Sequence, residues 1–139
     1  YNSEQPLYNL YARQGFEGAL QQTCIENEVG VIPFSGLASG FLTGKYRTEA
    51  DLSKSPRGRG AKRMMDERGM AILAALDQVS VGKSASQAQV ALAWVMAQPG
   101  LTGPIASATS LEQLDELMGS ARMRLDAEDL ALLDKASAA

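Results

Sequence analysis

The stretch Gly30-Val31-Ile32-Pro33-Phe34-Ser35-Gly36-Leu37-Ala38-Ser39-Gly40-Phe41-Leu42-Thr43-Gly44-Lys45-Tyr46 decides the fold. With Val29 just ahead of it, Val31, Ile32 and Phe34 make a short apolar run that stops at Ser35-Gly36. Such a run between turn residues reads as a buried strand of a parallel sheet, because a strand covered on both faces needs no polar alternation. The glycines that follow let a backbone approach a ligand closely. Their exposed N–H groups, the Ser and Thr hydroxyls and Lys45 together suit an anion. The spacing is neither a Walker loop nor a Rossmann fingerprint. A glycine-rich loop that merely turns the chain fits the same residues.

Upstream, Tyr1 to Tyr8 reads as extended, with Pro6 limiting any helix. Phe16, Leu20 and Cys24 recur every four residues, widened by Ala19 and Ile25, and predict a helix over Phe16 to Glu28 that stops at Gly30. Downstream, Gly36, Gly40, Gly44, Gly58 and Gly60, with Pro56, break the pattern from Ser35 to Arg63 into a long loop. Helical spacing returns over Met65 to Val81, with Ile72, Leu76 and Val79 on one face. Ser86-Gln87-Ala88-Gln89 is a capping box opening a helix through Gln98, in which Val90, Ala91, Trp94 and Val95 face inward until Pro99-Gly100 ends it. Thr102 to Ala108 reads as another short strand. Ser110-Leu111-Glu112-Gln113 is a second capping box, starting a helix on which Leu114, Leu117 and Met118 share a face. Asp126 caps a last helix that turns Leu130, Leu133 and Ala136 inward.

Alternating short strands and amphipathic helices place the chain in the α/β class, with a parallel sheet and helices outside it. Three strands leave both sheet edges open, so further strands are expected, upstream in a longer gene product or on a partner chain. The chain begins at Tyr1 without an initiator Met, which also suggests part of something longer.

Composition narrows the chemistry. The 139 residues are 45% hydrophobic and 21% charged, enough apolar content for one domain with a core. No apolar run approaches the ~20 residues of a membrane span, and Tyr1-Asn2-Ser3-Glu4 does not resemble a signal peptide. The single cysteine, Cys24, permits no internal disulfide, which fits a reducing cytoplasm; on its apolar face it reads as a buried small hydrophobe. Histidine is absent. A serine triad, a Cys–His pair and a zincin helix are therefore excluded for this chain alone, and no metal site is expected. The net charge of −3 argues against nucleic acid as a partner. Lys45, Arg47, Lys54, Arg57, Arg59, Lys62 and Arg63 face only Glu49 and Asp51, so Lys45 to Arg63 carries +5 and the rest −8. A basic patch on an acidic chain suits a small polyanion, although a solvated loop is the plainer reading.

A second strand end, Ala106-Ser107-Ala108-Thr109-Ser110, runs straight into a capped helix. A helix N-terminus after a strand favours anions, and Ser107, Thr109, Ser110 and Gln113 add polar groups, unless Ser110 and Gln113 only cap. In βα units ligands bind at the carboxyl ends of strands, so the two loops together can hold the two ends of a phosphorylated cofactor. Phe34, ending its strand, reads either as a flat wall of that site or as a core residue.

In combination, Gln5-Pro6-Leu7-Tyr8-Asn9-Leu10, Gly30-Val31-Ile32-Pro33-Phe34-Ser35 with Leu37 through Tyr46, Ala91-Leu92-Ala93-Trp94, and Ala108-Thr109-Ser110 with Glu112-Gln113-Leu114 resemble the aldo-keto reductases. The likeness is closest to the bacterial branch that also resembles potassium-channel β subunits, and it covers essentially the whole chain. The resemblance implies a (β/α)8 TIM barrel, of which this is the C-terminal portion, strands six to eight with their helices. It implies NADPH, with NADH not excluded, lying across the barrel mouth, and reduction of a small carbonyl substrate, an aldehyde or ketone, to an alcohol. By that resemblance Gln5 holds the nicotinamide carboxamide and Phe34 stacks on the nicotinamide ring. Ser35, Leu37, Gly40 and Lys45 line the pyrophosphate path, and Arg57 or Arg59 is the arginine of the cofactor-covering loop. Ser107, Thr109, Gln113 and Glu116 meet the adenosine and its 2′-phosphate. The departures are Ser107 where the family often has Gly or Lys, Leu117 where it often has Asn, no Lys or Arg in the final loop, and the polar Asn2, Ser3 and Glu4 in a barrel strand. The family's catalytic Asp, Tyr, Lys and His come from the first half of the barrel, so no catalytic residue is expected here, and Lys45-Tyr46 belongs to the cofactor loop. The chain alone is expected to be inactive, needing the N-terminal half of the barrel or another chain over its open edges. The alternative is a half-barrel that binds a nucleotide, or another protein, without catalysis.

Overall fold

The computed structural model describes residues 1–138. At its centre lies β2 (Gly30–Val31), with β1 (Ser3–Glu4) parallel beside it, Ser3 level with Gly30 and Glu4 with Val31. The pairing runs beyond these short strands: the N–H groups of Gly30, Ile32 and Phe34 donate to the carbonyls of Asn2, Glu4 and Pro6. Alternate residues bonding to one neighbour is the signature of a parallel ladder. On the other edge Thr102 N–H donates to Val31 O and Ile105 N–H to Pro33 O, both at 2.8 Å.

The strand expected over Thr102 to Ala108 is corrected by this edge. Residues 101–105 run alongside β2, but only Leu101 makes a bridge, to Val31. Pro33 and Pro104 have no N–H to donate. The Val31 N–H turns instead to the Thr102 hydroxyl oxygen at 3.2 Å. The described residues thus form one parallel ribbon with a partial third strand.

The helices follow the apolar spacing with shifted ends. Helix α1 (Ala19–Glu26) starts later than Phe16, because Gly18 sits at φ 94 and cannot belong to a right-handed helix. Phe16 instead packs under Tyr8, ring centroids 4.9 Å apart, while Cys24 is buried as expected. The segment Ser35 to Arg63, expected to be a long loop, contains two short 3-10 segments (Ala38–Thr43 and Glu49–Lys54) and the helix α2 (Gly58–Lys62). Pieces this short show no 3.6-residue period, so the sequence pattern cannot reveal them.

Helix α3 (Glu67–Lys83) is capped by Asp66, and α4 (Gln87–Met96) by a full box between Ser86 and Gln89. Helices α5 (Leu111–Ser120) and α6 (Ala127–Ser137) follow, α6 boxed by Asp126 and Asp129. Ala88 and every residue from Val90 to Val95 are buried, because α4 touches α3, α5 and the glycine segment at once. Trp94 is the hinge of this core. Its ring lies 5.5 Å from that of Tyr8, the Arg13 guanidinium sits 5.2 Å away, and its N–H donates to Asp134 at 2.9 Å. A buried indole keeps a polar partner in this way. Leu133 is buried in α6, with Leu130 and Ala136 against the same core. The apolar face of α5 differs: Leu111, Leu114 and Met118 are exposed.

Candidate functional site

Both expected loops border one cleft of about 730 Å3 at the carboxyl end of the ribbon. Phe34 opens it. Phe34 is the last residue of the ladder, bridged to Leu7 on the β1 side, and at 46% exposed it lies along the cleft rather than in the core. Its N–H is fixed to Pro6 O at 3.0 Å.

The first wall is backbone. Ser35, Ala38, Ser39, Gly40 and Gly44 all have positive φ, three consecutive residues among them. A left-handed conformation costs an L-residue roughly 1–2 kcal/mol, so this density of it is a sign of local demand. The wall persists because it is anchored from beneath. Phe41 and Leu42 are fully buried, Thr43 Oγ1 donates to Gly40 O at 2.7 Å, and Asn9 Nδ2 donates to Ser35 O at 2.9 Å. At Gly40 (φ 92) a Cβ would come within 3.0 Å of Lys45 Cε, so Lys45 lies against this bare backbone.

Lys45 and Arg57 carry the positive charge of the cleft. Among the described residues neither has a carboxylate within ion-pair distance, whereas nearby Arg47, Lys54 and Lys62 are paired with Asp77, Asp51 and Glu49. The Asp51 carboxyl is held well below the usual carboxylate range, first by the Lys54 ammonium and then by the N–H groups of Arg47 and Thr48.

The opposite wall is Ile105, Ala106 and Ser107 with the start of α5. Ser110 caps α5, accepting from Gln113 N–H at 3.2 Å. The second capping box is only half formed, because the Gln113 carbonyl oxygen accepts from Thr109 N–H and Oγ1, each at 2.9 Å. That carboxamide thus shapes the loop ahead of the helix. Gln89 Nε2 donates to Glu116 O at 2.8 Å, tying this wall to α4.

Of the sequence-derived candidates, Phe34, Ser35, Leu37, Gly40, Lys45, Arg57, Ser107, Thr109, Gln113 and Glu116 line this one cleft. Gln5 and Arg59 are exposed but do not line it, so of the two arginines weighed for the covering loop only Arg57 faces the cleft. Ala88 and Ser55 also line it, and sequence reasoning passed them over. Ala88 is the second residue of α4, two past the Ser86 cap, a hidden position; the Ser55-Pro56 turn is a visible signal. A smaller hollow of about 260 Å3 lies between residues 11–15 and Arg68. There Arg13 is paired with Glu17 at 2.8 Å, and Arg68 donates to Tyr11 O and Ser137 O, so both guanidiniums serve the fold. Among the described residues no group of side chains could hold a metal ion, and no helix is long and apolar enough to cross a membrane.

The Aldo/keto reductase family model matches residues 2–138. An L-glyceraldehyde 3-phosphate reductase of Escherichia coli O157:H7 is 31% identical over 138 residues, 94% of this chain and 40% of that protein. A probable voltage-gated potassium channel subunit beta of Arabidopsis thaliana is 31% identical over 120 residues, 83% of this chain and 37% of that protein. The crystal structure of a thermostable aldo-keto reductase bound to the inhibitor epalrestat superposes with a TM-score of 0.69 at 22% identity, over 96% of this chain and 39% of that one. The chain therefore spans about 40% of the length of the curated relatives it matches.

Proposed function

The chain belongs to the aldo/keto reductase family, and from that membership we propose that it is the cofactor-holding part of an NADPH-dependent carbonyl reductase. In this reading it forms strands six to eight of a (β/α)8 barrel. The open edges of the ribbon and the exposed face of α5 support that placement, since both want a neighbour. The remaining strands, and the Asp, Tyr, Lys and His that the family uses for proton transfer, would be supplied outside this stretch.

The observation that carries the proposal is the cleft itself, in which an exposed aromatic face, bare backbone and two cations without carboxylate partners among the described residues meet. These residues fit a nicotinamide dinucleotide. The Phe34 ring offers a flat surface for a planar ring. The left-handed residues Ser35 and Ala38 to Gly40 let the chain approach a diphosphate closely, and Lys45 and Arg57 supply charge that no carboxylate among the described residues pairs with. Across the cleft Ser107 and Thr109 present hydroxyls, with Gln113 and Glu116 beside them, toward a sugar and base. When bound, the dinucleotide supplies a hydride to the carbonyl carbon of an aldehyde or ketone. This chain's own work is binding and orientation: it fixes the ring plane against Phe34 and anchors the diphosphate, which lowers the entropic part of the barrel's barrier to reaction.

Titration with NADPH, read by the change in its fluorescence, tests the proposal. We expect saturable binding in the range of about 1 µM to 1 mM that is usual for enzyme substrates. A folded protein that shows no heat and no fluorescence change with NADPH or NADH overturns it. NADPH bound but never consumed on simple aldehydes by the complete polypeptide would leave the cofactor site and remove the reductase.

A further inference from the structure

The two cleft cations stand at the ends of an arc. The cleft is lined by Lys45 and then again by Ser55, Pro56 and Arg57, while residues 46–54 loop away from it. Free lysine and arginine side chains on such an arc would have to be ordered by the ligand, which lowers affinity. Here the arc is laced shut. Asp51 Oδ2 accepts from the N–H groups of Arg47 and Thr48, each at 2.8 Å, on the outgoing leg. Asp51 Oδ1 pairs with Lys54 Nζ at 2.6 Å on the returning leg. The same ammonium donates to the carbonyl of Lys45 at 3.4 Å. A second tie joins the buried Tyr46 hydroxyl to Ser55 Oγ, which also accepts from Arg57 N–H at 3.2 Å. The backbone of Lys45 and that of Arg57 are therefore hung on one polar frame, whose hubs are Asp51 and Ser55. Asp51 pairs with Lys54, which does not line the cleft, and among the described residues Lys45 and Arg57 have no carboxylate within ion-pair distance.

We propose that Asp51 and Ser55 are positioning residues that fix the separation of Lys45 and Arg57 for a diphosphate-bearing ligand. The proposal rests on the dinucleotide reading of the cleft. Neither hub needs to touch the ligand; each acts through a cation whose side chain does.

The test measures NADPH and inorganic pyrophosphate binding to the protein and to its Asp51→Ala, Ser55→Ala and Lys45→Ala variants, across a salt series. Asp51→Ala and Ser55→Ala should each weaken NADPH binding by about tenfold, the scale of ordering one or two long side chains on binding. The salt dependence of Ser55→Ala should match the parent's, since its charges are unchanged, whereas Lys45→Ala should flatten it. In the Lys45→Ala background, Asp51→Ala should cost much less than alone, because the two act through one contact. Urea midpoints are taken alongside; if Asp51→Ala unfolds, Ser55→Ala, which removes only a hydroxyl, decides the question. Parent-like affinity in a folded Ser55→Ala and Asp51→Ala overturns the proposal, as do additive losses in the double variant. Pyrophosphate binding that weakens in both hub variants, with no NADPH binding to the parent, would keep the frame and discard the dinucleotide reading. A parent that binds neither ligand overturns both.

Discussion

Phe34 and Gly40 show how much one residue's backbone can decide. A phenylalanine at the end of an apolar run has two destinations, and the sequence offered both. It faces the cleft as the last residue of the ladder, bridged to Leu7, because the residue after it, Ser35, turns left-handed at φ 60. Gly40 is a sharper case. Any side chain there meets a positive φ of 92 and brings its Cβ to 3.0 Å from Lys45 Cε. The lysine tail can shift; the backbone strain, roughly 1–2 kcal/mol, cannot be avoided. Gly40→Ala should therefore lower stability by about that amount and weaken NADPH binding several-fold by pushing Lys45 off the wall. A fluorescence titration and a urea midpoint on the same variant check both; unchanged affinity would mean that Lys45 does not depend on this bare backbone.

At the scale of elements, capping chemistry was the most legible signal. Ser86-Gln89 forms its box as written, and Asp126 caps α6 as expected. Ser110-Gln113 carries the same signature yet forms half a box, because a nearer hydroxyl and N–H on Thr109 compete for the Gln113 carbonyl oxygen. Pattern alone cannot rank such rivals. Asp126 also carries a tertiary role, since Lys83 of α3 pairs with it at 3.2 Å and with Asp129 at 2.8 Å. Its carboxyl is held below the ordinary range, first by the Asp129 N–H and then by Lys83. A carboxyl depressed in the folded state stabilises it above the unfolded value, about 3.9, and loses that contribution as pH falls through the lower folded value. Asp126→Asn should thus flatten the loss of stability below about pH 4, read from urea midpoints along a pH series. An acid limb identical to the parent's would show that the α3–α6 contact does not depend on this charge.

For the whole molecule, Trp94 joins the layers: it touches Tyr8 beyond β1, stacks with Arg13 and bonds Asp134 of α6. Trp94→Ala should cost about 3–5 kcal/mol, the usual scale for deleting a large core aromatic, measured by denaturant unfolding; a loss under 1 kcal/mol would contradict a single core built around it. The first two strands, the main helices, the buried face of α4 and the caps of α4 and α6 were written in the sequence, and ten of the twelve residues put forward by the family resemblance line the cleft. The elements and caps were legible because each follows from neighbours a few residues apart, through apolar spacing or a cap three residues upstream; glycines beside a strand end marked the loops, and the resemblance to the family supplied the full set of cleft residues. Tertiary structure alone decided that residues 101–105 make one bridge instead of a strand, that Gln5 and Arg59 stay outside the cleft, and that the Tyr46 hydroxyl reaches Ser55. Those outcomes depend on which of several competing donors and acceptors the folded chain brings within about 3 Å of one another, and no local pattern encodes that distance.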